Sequence, residues 1–175
     1  MKKLLILISI LILSTTVVQA KKFPLNSLST SYQFSNVIEK RKKSSHKMRI
    51  EFISNLFKQV KPHLGKTYEW GATGPYSFDC SGFTQAVFSK FNISLPRVSS
   101  AQARIGKLIL KENLQTGDLV SFSSKSSNNV RHVGIYLGAG KFIHASSARN
   151  AVVISSLNSN YYSKHFKWGR RLILR

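Results

Sequence analysis

The side chains in this chain that can do covalent chemistry together are one thiol and two imidazoles. Cys80 is the only cysteine, and it lies in Phe78-Asp79-Cys80-Ser81-Gly82, followed by Phe83, Val87, Phe88 and Phe91 at helical spacing. The approach, residues 68–77, carries two glycines and a proline, which break any periodic element. Cys80 is therefore expected to open a helix, where unpaired N–H groups and the positive end of the macrodipole favour thiolate over thiol. A lone cysteine is by itself more often a buried small hydrophobe. A nucleophile also needs a base, and the base needs a partner on its other ring nitrogen to fix its tautomer. His132 and His144 can supply both; the plainer reading is two structural histidines on a half-exposed face.

The two histidines can be related by hairpin geometry. With the three-residue loop Gly138-Ala139-Gly140, Leu137 faces Lys141, and His132 and His144 fall on one face as diagonal neighbours. The other face then collects Val133, Ile135, Leu137, Ile143 and Ala145, a core face opposite a polar one. A two-residue loop would split the histidines and scatter the apolar set, so the hydrophobic pattern selects the arrangement that the chemistry needs.

The elements that must hold these residues follow from periodicity. Ile50, Ile53, Leu56, Phe57, Val60 and Leu64 predict an amphipathic helix over 46–64, capped by Ser44 or Ser45 and stopped by Gly65, with His63 as a favourable helix-end charge. The helix from Cys80 ends near Asn92, and a shorter one follows Leu95-Pro96-Arg97 and ends at Gly106. Beyond it the period changes to two, with strands predicted at 118–122, 131–137, 141–145, 151–154 and 171–174. Helices first and then about five antiparallel strands is an α+β layout.

Length and charge set the frame. At 175 residues, 42% hydrophobic, the chain holds one domain plus a leader. Lys2-Lys3, the apolar run 4–13 and Val18-Gln19-Ala20 describe a secretory signal peptide over residues 1–20, cleaved after Ala20. The formal charge is +21, and losing residues 1–20 removes two lysines and no acid, leaving +19. Residues 21–45 read as a basic, flexible linker, and 46–175 as the catalytic domain. An exported protein with one cysteine has no internal disulfide, so its thiol is either reactive or carefully buried. No CxxC or HExxH spacing occurs, so no metal site and no cofactor is expected. The basic run lacks interleaved aromatics, which argues against nucleic acid and for anionic envelope polymers.

Tyr68-x-Trp70-Gly71, Phe78-Asp79-Cys80-Ser81-Gly82-Phe83, Leu95-Pro96-Arg97, Gly117-Asp118-Leu119-Val120 and His132-Val133-Gly134-Ile135-Tyr136, with His144 following, resemble the NlpC/P60 family of cell-wall cysteine peptidases. The resemblance runs from about Val60 to Arg175. It implies a papain-like α+β fold, a Cys-His-His triad, and cleavage of peptidoglycan stem peptides at the D-glutamyl–diamino acid bond. By the resemblance, Cys80 is nucleophile, His132 base and His144 its orienter, and Tyr68 sets its hydroxyl by the oxyanion with the Cys80 backbone N–H. Asp79 and Ser81 match positions that line the substrate groove; their plainer readings are a helix N-terminal acid and a helix-start hydroxyl. Arg131 departs from the small or polar residue usual before the base, and its cation either lowers the pKa of His132 or meets a substrate carboxylate. There is no recognisable wall-binding module, so targeting rests on charge. The signal peptide predicts export, to the periplasm or to the cell wall and extracellular space, and a monomer is expected. Alternatives are an amidase or acyltransferase on the same frame, or a non-catalytic cationic envelope-binding protein.

Overall fold

The chain carries neither glycine nor proline from Asn26 to Val60, and it forms one helix, α1, over Asn26–Val60. The computed structural model describes residues 26–124 and 126–172, with side chains from residue 32; residues 1–20, read as a signal peptide, lie outside the described residues. The helix was expected to begin only at Ser44 or Ser45, after a flexible linker. It starts earlier because Lys, Arg, Glu and Gln are good helix formers and Glu39 stands four residues before Lys43, a supporting ion-pair spacing. The chain divides into two compact units, Met1–Ser44 and Ser45–Arg175. Within the first, residues 32–44 are exposed apart from Asn36, a solvated helix.

In the second unit Phe52, Leu56 and Val60, four residues apart, form the buried stripe of α1. Ile50 and Phe57, expected on that stripe, are exposed, because each is turned roughly 100° or more from its centre at 100° per residue. Leu64 lies beyond the helix, which a turn over Lys61–His63 terminates. His63 was expected as a helix-end charge. Its ring instead packs edge-on against Phe78, 4.9 Å between centroids, and burial, then Lys66 and Lys90, lower its pKa. It is a neutral packing residue.

The strands are β1 (Thr67–Tyr68), β2 (Ser77–Phe78), β3 (Lys107–Ile109), β4 (Leu119–Ser124), β5 (Ser127–Gly138), β6 (Lys141–Ser146), β7 (Ala151–Ser156) and β8 (Phe166–Arg171). They form one sheet in the order β2-β1-β7-β6-β5-β4-β8-β3. Four of the five longer strands, β4 to β7, fall where expected; the three short ones at the margins hold two or three residues each, too few to show a period. β1 and β2 are parallel, which makes the sheet mixed. The last strand, expected over 171–174, lies instead over Phe166–Arg171, directly after a short helix, α4 (Asn160–His165), capped by Ser159. Arg171 closes this strand onto the start of β4: its guanidinium donates to both carboxylate oxygens of buried Asp118 at 2.8 Å.

In the β5–β6 hairpin Ile135 faces Ile143 and Tyr136 faces Phe142, the pairing that the histidine geometry requires. At the tip, however, Gly138 and not Leu137 faces Lys141. The loop is Ala139-Gly140, with φ of 48° and 70°, the positive values that two-residue hairpin turns demand. Such a loop alone would split the histidines across the sheet. Leu137 enters the ladder as an extra residue, a bulge that absorbs the slip and restores the register below it.

Val133, Ile135, Ile143 and Ala145 are fully buried on the sheet face covered by α2 (Cys80–Ser89), whose Phe83, Val87 and Phe88 pack there. The opposite face is not polar, as expected, but carries a second apolar layer. Phe122 and Phe142 meet Tyr162 and Phe166 there, and His144 is fully buried. A third helix, α3 (Ser99–Gln102), is fastened to α2 through Gln102. Its amide donates to the Ser81 carbonyl at 3.0 Å and accepts from Thr84 Oγ1 at 2.6 Å.

Gly82, the third residue of α2, has no room for a side chain: a Cβ would fall onto the Ala72 carbonyl oxygen and within 3.0 Å of Thr73 Cα, both backbone. Gly82→Ala is expected to destabilise the fold by about 2–3 kcal/mol, as overpacking against rigid atoms does. Chemical denaturation measures it, and an unchanged midpoint would show that the approach loop yields.

Candidate active site

The site is assembled at the N-terminus of α2. Asp79 is the N-cap, with extended backbone (φ −88°, ψ 177°), and its carboxylate accepts from the Gly82 N–H at 2.7 Å. The same carboxylate accepts from the Gly71 N–H at 3.0 Å, which ties down the turn bearing Trp70. Arg97 donates to both of its oxygens, at 3.1 and 2.5 Å, and to the Ser81 hydroxyl at 2.9 Å. Burial alone would raise the Asp79 pKa. The bonds from Arg97, Gly82 and Gly71 outweigh it and hold the carboxyl below the usual range. Asp79 is thus the helix N-terminal acid, and it also lines a cleft beside the helix start.

Cys80 follows as the first residue of α2, buried but reaching the cleft. The thiol was expected to be depressed. Burial and then the Asp79 carboxylate push it up, against the backbone N–H groups of Val133, Ser81 and Cys80 itself. The helix-start donors are present; desolvation is larger. Tyr68 reaches the same cleft from β1, whose pairing with Phe78 sets it beside the helix start. Burial, then Cys80 and Asp79, raise its pKa, so it stays a hydroxyl donor at neutral pH.

The histidines meet as the hairpin register requires. His132 Nε2 lies 2.8 Å from His144 Nδ1, with the rings near perpendicular at 85°. On its far side His144 Nε2 lies 2.9 Å from Ser155 Oγ and 3.3 Å from the Tyr162 hydroxyl, while Phe142 stacks on its ring at 4.7 Å. Burial lowers His132 to about 4; burial and then His132 lower His144 to about 2. Both rings are neutral at pH 7. Arg131 is exposed beside them.

Two clefts flank the thiol. One, about 770 Å³, runs past Asp79, Ser81, Arg97 and Trp168. The other, about 820 Å³, runs past Tyr68, His132, Arg149 and Tyr162. Trp70, Cys80 and Arg131 line both, so a single groove passes over the sulfur.

The groove and the histidine pair are reached by the same run of sequence, residues 65–171, that matches the NlpC/P60 family. The chain belongs to this family. Among NlpC/P60 relatives it is 44% identical over 121 residues to a Haemophilus influenzae protein named "Probable endopeptidase", spanning 69% of this chain and 74% of that one. It is 39% identical over 127 residues to the Escherichia coli murein DD-endopeptidase MepS/murein LD-carboxypeptidase, spanning 72% and 66%. A Bacillus cereus gamma-D-glutamyl-L-lysine dipeptidyl-peptidase is 38% identical over 120 residues, 68% of this chain but only 36% of its own. The crystal structure of an NlpC/P60 family protein from Bacillus cereus superposes with a TM-score of 0.64 at 38% identity, covering 68% of this chain and 39% of that one.

Arg97, Ser155, Tyr162 and Arg149 went unassigned in the sequence. Arg97 stood in a recognised NlpC/P60 motif with an acid 18 positions away, but nothing in the spacing paired them. Ser155 and Tyr162 reach His144 from β7 and α4, contacts with no local signal.

The raised thiol makes a pH prediction. Alkylation of Cys80 by a neutral reagent is expected to inflect above the ordinary thiol value of about 8.5. Asp79→Asn keeps a capping acceptor while removing the charge, so its inflection should move down. An inflection below the ordinary value in the native protein would show that the helix-start donors win after all.

Proposed function

We propose that the protein is an exported cysteine endopeptidase that hydrolyses peptidoglycan stem peptides at the D-glutamyl–diamino acid bond. The observation that carries this reading is the neutral His132–His144 pair, joined at 2.8 Å, at a groove with Cys80 midway along it. Family membership and relatives named for murein and gamma-D-glutamyl bonds support the substrate class. Export rests on residues 1–20, outside the described residues. The solvated, basic helix preceding the catalytic unit suits anionic envelope polymers as a second, charge-based partner.

In this mechanism the sulfur of Cys80 attacks the scissile carbonyl while its proton passes to Nδ1 of His132. The proton stays on sulfur until the bond forms, since burial disfavours both thiolate and imidazolium. The oxyanion meets the Cys80 N–H and the Tyr68 hydroxyl. His132 then gives its proton to the departing amine, leaving a thioester; water attacks that thioester, passes a proton through His132, and the thiol re-forms. For Nδ1 to accept, Nε2 must keep its hydrogen and donate to His144 Nδ1. His144 must then carry its own hydrogen on Nε2, donated to Ser155 Oγ or the Tyr162 hydroxyl. The serine and tyrosine hydroxyls can accept that hydrogen and so accommodate this tautomer of both rings.

Cys80→Ser is expected to be folded and inactive on purified peptidoglycan. Mass spectrometry of wild-type products should find a new N-terminus on the diamino acid and L-alanyl-D-glutamate on the other fragment. Free lactyl groups on the glycan would instead identify an amidase, and full activity in Cys80→Ser would remove the thiol mechanism.

His144→Ala should lower turnover on the order of 10²-fold, the low end of what positioned acid–base groups contribute. His144→Asn should retain the most, because its Oδ1 is attached to Cγ as Nδ1 is and can accept from His132 at the same place; His144→Gln, one atom longer, should fall between. Substrate binding should be similar in all three. If Asn and Gln do no better than Ala at equal stability, His144 does not act as an acceptor.

A further inference from the structure

The two clefts are chemically unequal, and the position of the base says which half of a substrate each takes. His132 lines only the larger one. In acyl transfer the base that takes the nucleophile's proton returns it to the departing amine, so the amine fragment lies on the side of His132. The acyl fragment then lies along Asp79, Ser81 and Arg97.

The acids are unequally placed as well. On the acyl side Asp79 answers the guanidinium of Arg97, with Arg104 and the shared Arg131 also on that lining. The lining of the amine side contains no aspartate or glutamate. Among the described residues the ion pairs are Arg97–Asp79 and Arg171–Asp118, so Arg149, which lines this cleft alone, and Arg131, which lines both, face it with no acid of the protein to answer them. The backbone of Arg149 is held. The Arg149 N–H donates to the hydroxyl of buried Ser146 at 3.3 Å, and Asn150 ends the turn in the left-handed region. Burial raises the Tyr162 hydroxyl, and the Arg149 cation is among the groups that pull it back, which sets Arg149 within electrostatic reach of the hydroxyl beside His144. Ser147, Ser156 and Tyr161 line the same cleft.

Resting on the peptidase reading above, we propose that the cleft beside His132 is the subsite of the departing amine fragment and that Arg149 reads a free carboxylate on it. A fragment ending in a carboxylate, as the diamino acid end of an unlinked stem does, is the ligand class that fits. A guanidinium can hold both oxygens of a carboxylate in parallel, a geometry that a carboxamide cannot match.

Binding of the amine-side product tests this apart from cleavage, since the product has no bond to cut. Calorimetry with the intact protein would compare a diamino acid–D-alanine dipeptide bearing a free C-terminal carboxylate with its carboxamide. The carboxylate is expected to bind about tenfold more tightly, the gain of one charge-assisted contact. Arg149→Gln should bring the carboxylate down to the carboxamide level while leaving Cys80 alkylation unchanged, a sign that the thiol site is intact. Lys107→Gln, which removes one exposed cation from β3, should keep the tenfold preference. Equal binding of the two forms by the wild type, a preference that survives Arg149→Gln, or its loss in Lys107→Gln would each overturn the assignment. Failure of the wild type to cut the parent peptide would sink the peptidase reading instead, and the product comparison would still decide whether Arg149 selects a carboxylate.

Discussion

One carboxylate holds the site together. Asp79 has two oxygens and receives hydrogen bonds from a helix-start N–H, a loop N–H and a guanidinium, with the Ser81 hydroxyl at 3.3 Å as a fourth donor. Each bond fixes a different element: α2 and hence the position of Cys80, the turn carrying Trp70, and the segment that leads into α3. A buried charge is tolerated only when it is paired and its remaining lone pairs are filled, and both conditions hold here. Asp79 also acts on the chemistry that it positions, since its charge is the second cause that keeps the Cys80 proton on sulfur. The group that places the thiol therefore also restrains its ionisation.

The histidine pair is built by the opposite means. No acid neutralises it, and an aromatic layer of Phe122, Phe142 and Tyr162 keeps water from it. Desolvation therefore sets the protonation state, and hydrogen bonds set the tautomer. Buried imidazoles cost free energy unless their nitrogens are satisfied. His144 spends one nitrogen on His132 and the other on Ser155 and Tyr162. His132 keeps one nitrogen for the cleft. In the proposed mechanism the proton is taken by that atom, because the other three ring nitrogens are already committed.

What could be read in the sequence was whatever repeats locally. The Phe83-Val87-Phe88 spacing predicted α2, and the alternation from Val133 to Ala145 predicted the sheet face on which the histidine register depends. The tip of that hairpin was misread, and the body still came out right. A glycine-flanked loop permits either two or three residues, while burying Ile135 against Ile143 permits only one pairing, and the bulge at Leu137 reconciles the two. The short strands β1 to β3 carry too few residues to show a period. The second apolar layer was missed for a related reason: α4 and its Tyr162 come from a part of the chain with no strong period, so the face holding His144 looked polar from β5 and β6 alone.

The rarity of acids makes the placement of the two aspartates decisive. Only 6 acidic residues face 27 basic ones, and both aspartates are buried, each against an arginine. Repulsion among the exposed cations acts through solvent and is screened within about 8 Å at physiological ionic strength. The two pairs lie in direct contact, with their aspartates buried, and are screened less. Added salt therefore weakens the repulsion that opposes the compact state more than it weakens the attractions that fix it, and it also weakens any hold of the exposed cations on a polyanion. Acid acts in the other direction. Asp79 contributes stability in full above the unfolded carboxylate pKa, and loses it as pH falls through the lowered folded value, while every cation remains. The fold of this basic chain is thus held at its centre by charge that low pH removes and that salt leaves largely intact.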